Sequence, residues 1–201
     1  MHLFSQAKNG VSAAELQRHL GVTYKCAHRI GHKIRGLTKE THKLKGVVEA
    51  DETIWGGKRR RQVKMSNKSV IFGAVQRGGK IQAEIIPNLK EESLLHPIRR
   101  IVKKGSHLIT DEFRQYKNIA RQEGYKHSTV HHSVYEYVRG DVYTNTVEGF
   151  WSQLKRSLHG THHSVSKKYL PLYLSEHCFR RNHRKEDLFP LLLSRAIPSP
   201  D

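Results

Sequence analysis

Three acidic side chains stand at separate stations in a strongly basic chain: Asp51 in VVEADETIWGG, Asp111 in HLITDEF and Glu148 in TNTVEGFWSQLKRSLHG. Carboxylates drawn within a few ångströms of one another repel unless protons or a cation compensate them. Mg²⁺, or Mn²⁺ in its place, prefers such oxygen ligands and keeps part of its shell for water and phosphate. Two ions about 3.5–4 Å apart clamp both sides of a scissile phosphodiester, activating the attacking water or hydroxyl and stabilising the departing 3′ oxygen without a covalent protein nucleophile. On a helix, Asn145, Glu148 and Lys155 share one face, because offsets of three and seven residues return to the same side. Asn145 is then the helix N-cap or a neutral ligand competing with Glu148 for the third position, and Lys155 a cation for phosphate. Each acid also has a simpler reading, since an Asp at a strand end often closes a turn and a Glu near a helix start suits the dipole. Glu52 lies on the opposite face of a strand from Asp51 and is expected to tune the surface or pair with an arginine.

The surroundings of these acids are positive. Among 201 residues, 36 Lys and Arg face 18 Asp and Glu, a formal net charge of +18, with 15 histidines besides. Such a field favours polyanions and fast, salt-sensitive association. The alternatives are a solubilising surface or a membrane-surface binder. Candidate phosphate contacts are Arg29, Lys33 and Arg35, the run Lys58, Arg59, Arg60 and Arg61, then Lys155, Arg156, His159 and His162, and finally Arg180, Arg181 and Arg184. Mean hydropathy is −0.67, and no apolar run is long enough for a membrane span. The N-terminus MHLFSQAKNG lacks an apolar signal core, which leaves a cytoplasmic, nucleoid-associated location as the expectation. Cys26 and Cys178 make neither a disulfide framework nor a close-spaced metal pattern. The histidine groups around 127–132 and 159–163 lack the partners of a closed zinc site.

The elements that must position the acids follow from periodicity. In residues 11–35, Ser12 with Glu15 three residues later forms a capping box, Gly21 breaks the run and Thr23 opens a second helix. Two short helices about a tight turn fit a helix-turn-helix. Residues 38–45 read as a linker. VVEADETIW, SVIFGAVQ and KIQAEIIP read as three strands of an antiparallel meander. Residues 91–104 form a helical run in which Pro97 costs stability or marks a late start. A strand HLITD, a helix over 112–123, a strand KHSTVHH, a helix over 146–158 and a last helix over 166–183 complete the pattern. The order βββαβαβα is that of an α/β, ribonuclease-H-like mixed five-stranded sheet flanked by helices, here with a small N-terminal helix-turn-helix. In that order strands one and four are neighbours, which brings Asp51 beside Asp111, with Glu148 reaching across from a helix. The expected division is a DNA-binding segment over 1–37, a linker over 38–45, a catalytic domain over 46–189 and a tail over 190–201.

The blocks VEADETIWGGK, ITDEFRQY and TNTVEGFWSQLKRSLHGTHHSVSKKYLPLYLSEHCFRRNHR resemble the IS1595/ISXO2-like bacterial insertion-sequence transposases over residues 11–186. The resemblance implies a DDE catalytic domain whose signature falls on Asp51, Asp111 and the block holding Asn145, Glu148 and Lys155. It implies Mg²⁺-dependent hydrolysis and strand transfer on double-stranded DNA, both element ends and target, with a homodimer or larger assembly on the DNA and no membrane partner. Members often carry an N-terminal zinc ribbon; this chain begins almost at its helices and has no CxxC pair, as in a short, truncated or domesticated copy. The rival expectations are a metal-dependent nuclease without strand transfer and a catalytically silent, transposase-derived DNA binder.

Overall fold

The computed structural model of the chain describes residues 1–56, 68–130 and 143–197. Its contacts form two compact units, Met1–Glu40 with Ser152–Asp201, and Thr41–Trp151. The helices are α1 (His2–Gln6), α2 (Ala13–Leu20), α3 (Tyr24–Leu37), α4 (Glu91–Ile101), α5 (Arg114–Glu123), α6 (Asn145–Gly160), α7 (Leu170–Asn182) and α8 (Leu188–Ala196). The strands are β1 (Val47–Trp55), β2 (Ser69–Gln76), β3 (Ile81–Ile86), β4 (His107–Thr110) and β5 (Lys126–Thr129).

In the unit holding the strands, the sheet order is β3-β2-β1-β4-β5. β1, β2 and β3 pair antiparallel as hairpin neighbours. β4 joins β1 in parallel, and β5 joins β4 in parallel, each return being made by a helix. This is the ribonuclease-H-like mixed sheet that the element order predicts. Side chains alternate across the central strand. Val48 and Ala50 face Phe72 and Ala74 and the buried sides of α4 and α5, where Leu94, Ile98 and Tyr116 are wholly enclosed. Glu49 and Asp51 face the other way, toward the start of α6. There Gly73, the antiparallel partner of Asp51, leaves room for the indole of Trp151; an added Cβ would lie 2.4 Å from that ring.

Several boundaries differ from the sequence expectation; the helix starts expected at 112 and 166 move to Arg114 and Leu170. α4 neither starts late nor runs to 104: it begins at Glu91, carries the buried Pro97 inside it and stops at Ile101. Packing of its apolar face outweighs the hydrogen bond that proline forfeits. Leu44, expected in a linker, is fully buried and bridges Val102 in parallel. β5 closes at Thr129, and residues 131–142 lie outside the described part.

In the other unit, Ser12 accepts from the Glu15 amide at 3.1 Å and Thr23 from the Cys26 amide at 3.3 Å, so both expected caps form. Gly21 takes the left-handed conformation, φ 64°, that ends α2. α3 buries Ile34 against Phe4, Phe179 and Leu192. The last of these sits on α8, a helix formed by the apolar start of the stretch expected as a tail. Among the described residues no helix is long and apolar enough to cross a membrane.

Gly73→Ala tests how tightly α6 is seated on the sheet. Driving a methyl into the Trp151 ring is expected to destabilise the chain by about 1–3 kcal/mol, read as a lower urea midpoint in tryptophan fluorescence.

Candidate active site

Parallel pairing sets the first two acids. Glu49 of β1 is matched with Ile109 of β4. Two residues further along both chains, where β4 has ended, the same register leads to Asp51 and Asp111. Both are half-buried. The Phe113 amide donates to Asp111 Oδ1 at 3.1 Å, and the Trp151 indole donates to Asp51 Oδ2 at 2.9 Å. Glu148 lies in the first turn of α6, exposed, with the Thr144 hydroxyl donating to its Oε1 at 2.8 Å. Burial is the main reason that the Asp51 carboxyl is pushed up to about 6; the Glu52 amide and the Trp151 indole oppose this, and the charges of Asp111 and Glu148 add to it. The three expected acids therefore share one electrostatic environment.

The start of α6 is held by a fourth acid. Glu49 is wholly buried. It accepts from the Thr146 amide at 2.9 Å, the Thr146 hydroxyl at 2.9 Å, the Val147 amide at 3.2 Å and Arg77 Nε at 3.0 Å. Arg77 in turn donates to the Tyr143 carbonyl at 2.9 Å and lies 3.6 Å over its ring. Open amides and the positive end of the dipole make a helix N-terminus a natural seat for a carboxylate. Glu49 is absent from the sequence-based expectations, although its place two residues before Asp51 puts it on the same strand face. Trp151 packs on Gly73 and also orients Asp51.

Glu52 corrects another expectation. Its partner is the fully buried hydroxyl of Tyr116, not an arginine. Burial pushes its carboxyl up to about 7; the Tyr116 bond opposes this, and Asp111 and Asp51 add to it.

The all-oxygen donor set of Asp51, Asp111 and Glu148 fits a hard divalent cation, and the charges of Asp111 and Glu148 add to the lift that burial gives Asp51. Among the described residues, no group of three His, Cys, Asp or Glu side chains is placed so that it could hold a metal ion.

The remaining candidates divide. Asn145 is the exposed first residue of α6. In the helical unit, Arg29 and Lys33 are exposed on α3, Lys155 is half-buried, and Arg156, His159 and Arg184 are exposed. Arg35 is corrected: it is buried, donating to Glu176 Oε2 at 2.8 Å and to the Val11 carbonyl at 2.9 Å, so its charge serves the core and not phosphate. Arg180 is likewise turned inward, bonded to Glu176 at 2.9 Å and to the Phe4 carbonyl at 2.6 Å. His162 packs edge-on against Tyr173 with its Nε2 buried, and burial lowers it to about 4, so it is neutral near pH 7 and brings no charge to a phosphate. Lys58, Arg59, Arg60 and Arg61 lie outside the described residues.

The model of the ISXO2-like transposase domain matches residues 43–182. A transposase-like protein of Haemophilus influenzae is 32% identical over 104 residues, 52% of this chain and 82% of that protein. A protein in the transposable element ISH50 of Halobacterium salinarum is 27% identical over 198 residues, 89% of this chain and 67% of that one. Among solved structures, the HTLV-2 integrase catalytic core domain in complex with magnesium overlays with a TM-score of 0.38 at 16% identity, covering 72% of this chain and 89% of that chain.

Two stability measurements probe the site. Glu49→Ala leaves Arg77 and the helix amides without their acceptor and is expected to cost about 3–5 kcal/mol in urea unfolding, the scale of a broken buried ion pair. The raised carboxyls of Asp51 and Glu52 bind protons more tightly in the folded chain than in the unfolded one. The stability they contribute is thus full below about pH 4 and is lost as pH rises through about 6 and 7. In the absence of divalent metal, Asp51→Asn is expected to stabilise the chain at pH 8 by roughly 2 kcal/mol and to change little at pH 4, as read from denaturant midpoints at the two pH values.

Proposed function

This chain belongs to the ISXO2-like transposase family, and from that premise we propose that it is a DNA transposase, hydrolysing phosphodiesters at insertion-sequence ends and joining the freed 3′ end to a target. The observation that supports this most is the shared environment of Asp51, Asp111 and Glu148, contributed by two parallel strands and a helix. These three would hold Mg²⁺ or Mn²⁺, two ions in all. Glu148 is preferred to Asn145 as the third ligand because it carries charge and acts electrostatically on Asp51. Such ions supply Lewis acidity at the phosphate and a lowered pKa for the attacking water or hydroxyl.

The protein's own share is positioning. Trp151 fixes one oxygen of Asp51, the Phe113 amide one oxygen of Asp111, and Thr144 one oxygen of Glu148. Glu49 locks the first turn of α6, so Glu148 is presented by a helix that cannot slide along the sheet. Double-stranded DNA is the partner that the +18 charge favours, with Arg29 and Lys33 on α3 and Lys155 and Arg156 on α6 as contacts for phosphate, the first two in a helix-turn-helix role. Two element ends must be brought together for recombination, which requires a homodimer or larger assembly.

A Mg²⁺-dependent strand-transfer assay on the flanking element DNA tests the reading. Asp51→Asn, Asp111→Asn and Glu148→Gln are each expected to lower cleavage and joining by roughly 10²-fold or more, and EDTA to abolish both, with DNA binding retained. Cleavage without joining would assign a nuclease instead. Wild-type turnover in all three variants would reject the site.

A further inference from the structure

The helical unit contains a hollow of about 570 Å³ lined by α1, α6, the end of α7 and the turn into α8. Lys8, Arg181 and Arg184 contribute cationic lining, and Gln153 lines it too. A second hollow, of about 250 Å³, shares Lys8 and Gln153 with the first and adds Arg156. The neighbouring charges are otherwise engaged. Arg180, also on the wall, is bonded to the buried Glu176. Glu186 lies 3.0 Å from His183 Nδ1, and Asp187 caps α8 through the Phe189 amide at 2.9 Å.

Arg181 is the unusual group. Its Nη1 is buried and makes no hydrogen bond among the described residues. Burial, and then the charge of Arg184, disfavour its charged form. Arg184 is tethered beside it, donating to the Arg181 carbonyl at 3.1 Å. A buried guanidinium N–H left without an acceptor costs stability, and two adjacent guanidinium groups add repulsion. An oxyanion relieves both, and the planar fork of arginine matches phosphate in two-point fashion.

We infer that these joined hollows seat the phosphodiester backbone of duplex DNA, with Arg181 and Arg184 holding one phosphate and Lys8 and Arg156 meeting others along the same strand. The inference rests on the reading of the chain as a DNA-processing protein and deepens it by naming the contacts. A single free anion fills one hollow and leaves the cations of the other unmet; a run of phosphates engages both. Lys8 and Gln153 stand outside the basic clusters visible in sequence, and Arg180, inside one, faces the core.

The test is fluorescence anisotropy of a labelled duplex with the full chain in EDTA, across a series of NaCl concentrations. For Arg181→Gln with Arg184→Gln, which together hold one phosphate, the slope of log K against log[salt] is expected to fall by about one, and affinity at 0.1 M salt by roughly 10- to 100-fold. Lys8→Gln is expected to lower the slope by about one. Arg181→Lys with Arg184→Lys, which keeps both charges, is expected to retain the wild-type slope. An unchanged slope and affinity in the folded double Gln variant, checked by circular dichroism, overturns the inference. So does displacement of the duplex by micromolar inorganic phosphate at constant ionic strength, which would assign the hollows to a free anion. Because binding is read without divalent metal, a failure of cleavage chemistry leaves this result standing, and a failure here leaves the carboxylate site untouched.

Discussion

A carboxylate wholly removed from water must be compensated or it breaks the fold, and Glu49 is such a group at the middle of the sheet. Its compensation comes from two amides and a hydroxyl in the first turn of α6 and from Arg77. That set of bonds joins the central strand to one point on the helix. With the first turn fixed, helical geometry decides where the later residues fall: Glu148 just beyond the anchor and Trp151 one turn on, against Gly73 and Asp51. β1 thereby carries three carboxylates within four residues, and each has a different fate. Glu49 is neutralised and structural. Asp51 is held by the Trp151 indole and the Glu52 amide, and burial pushes its carboxyl up to about 6. Glu52, on the opposite face, is met by a tyrosine hydroxyl.

The same rule governs the helical unit around a second buried acid, Glu176. Arg35 and Arg180 flank the buried Glu176, and their guanidinium groups lie over the rings of Tyr173 and Phe4. This ties α3 to α7 and α1 with charges that no longer face solvent. A chain with a formal charge of +18 does not place all of it at the service of a polyanion. The arginines that build the fold are separated from those proposed to meet phosphate by whether a buried acid stands opposite them.

Much of the arrangement was legible in the residues. Alternation in VVEADETIW and the glycine turn between the second and third strands define the meander. The spacing of apolar residues after it defines the helices that return the parallel strands, so the meeting of Asp51 with Asp111 follows from element order. The rest depended on partners distant in sequence. Arg35 has the periodicity of a helix surface residue until Glu176, 141 residues away, is placed opposite it. Glu49 looks like any strand carboxylate until α6 arrives, and Gly73 looks like a weak strand residue until an indole needs its space. α1 has five residues and no side-chain cap, too short for a periodic signal. α8 was hidden by Pro190, which the helix accommodates in its first turn.

The central claim is that carboxylates from three distant positions form one cation site. Mn²⁺ binding to the intact chain, followed by loss of the free-ion paramagnetic resonance signal, tests it most directly. The account predicts saturable binding of up to two ions per chain, lost when Asp51→Asn, Asp111→Asn and Glu148→Gln are combined in a variant that still folds. Saturable binding undiminished in that triple variant would contradict it.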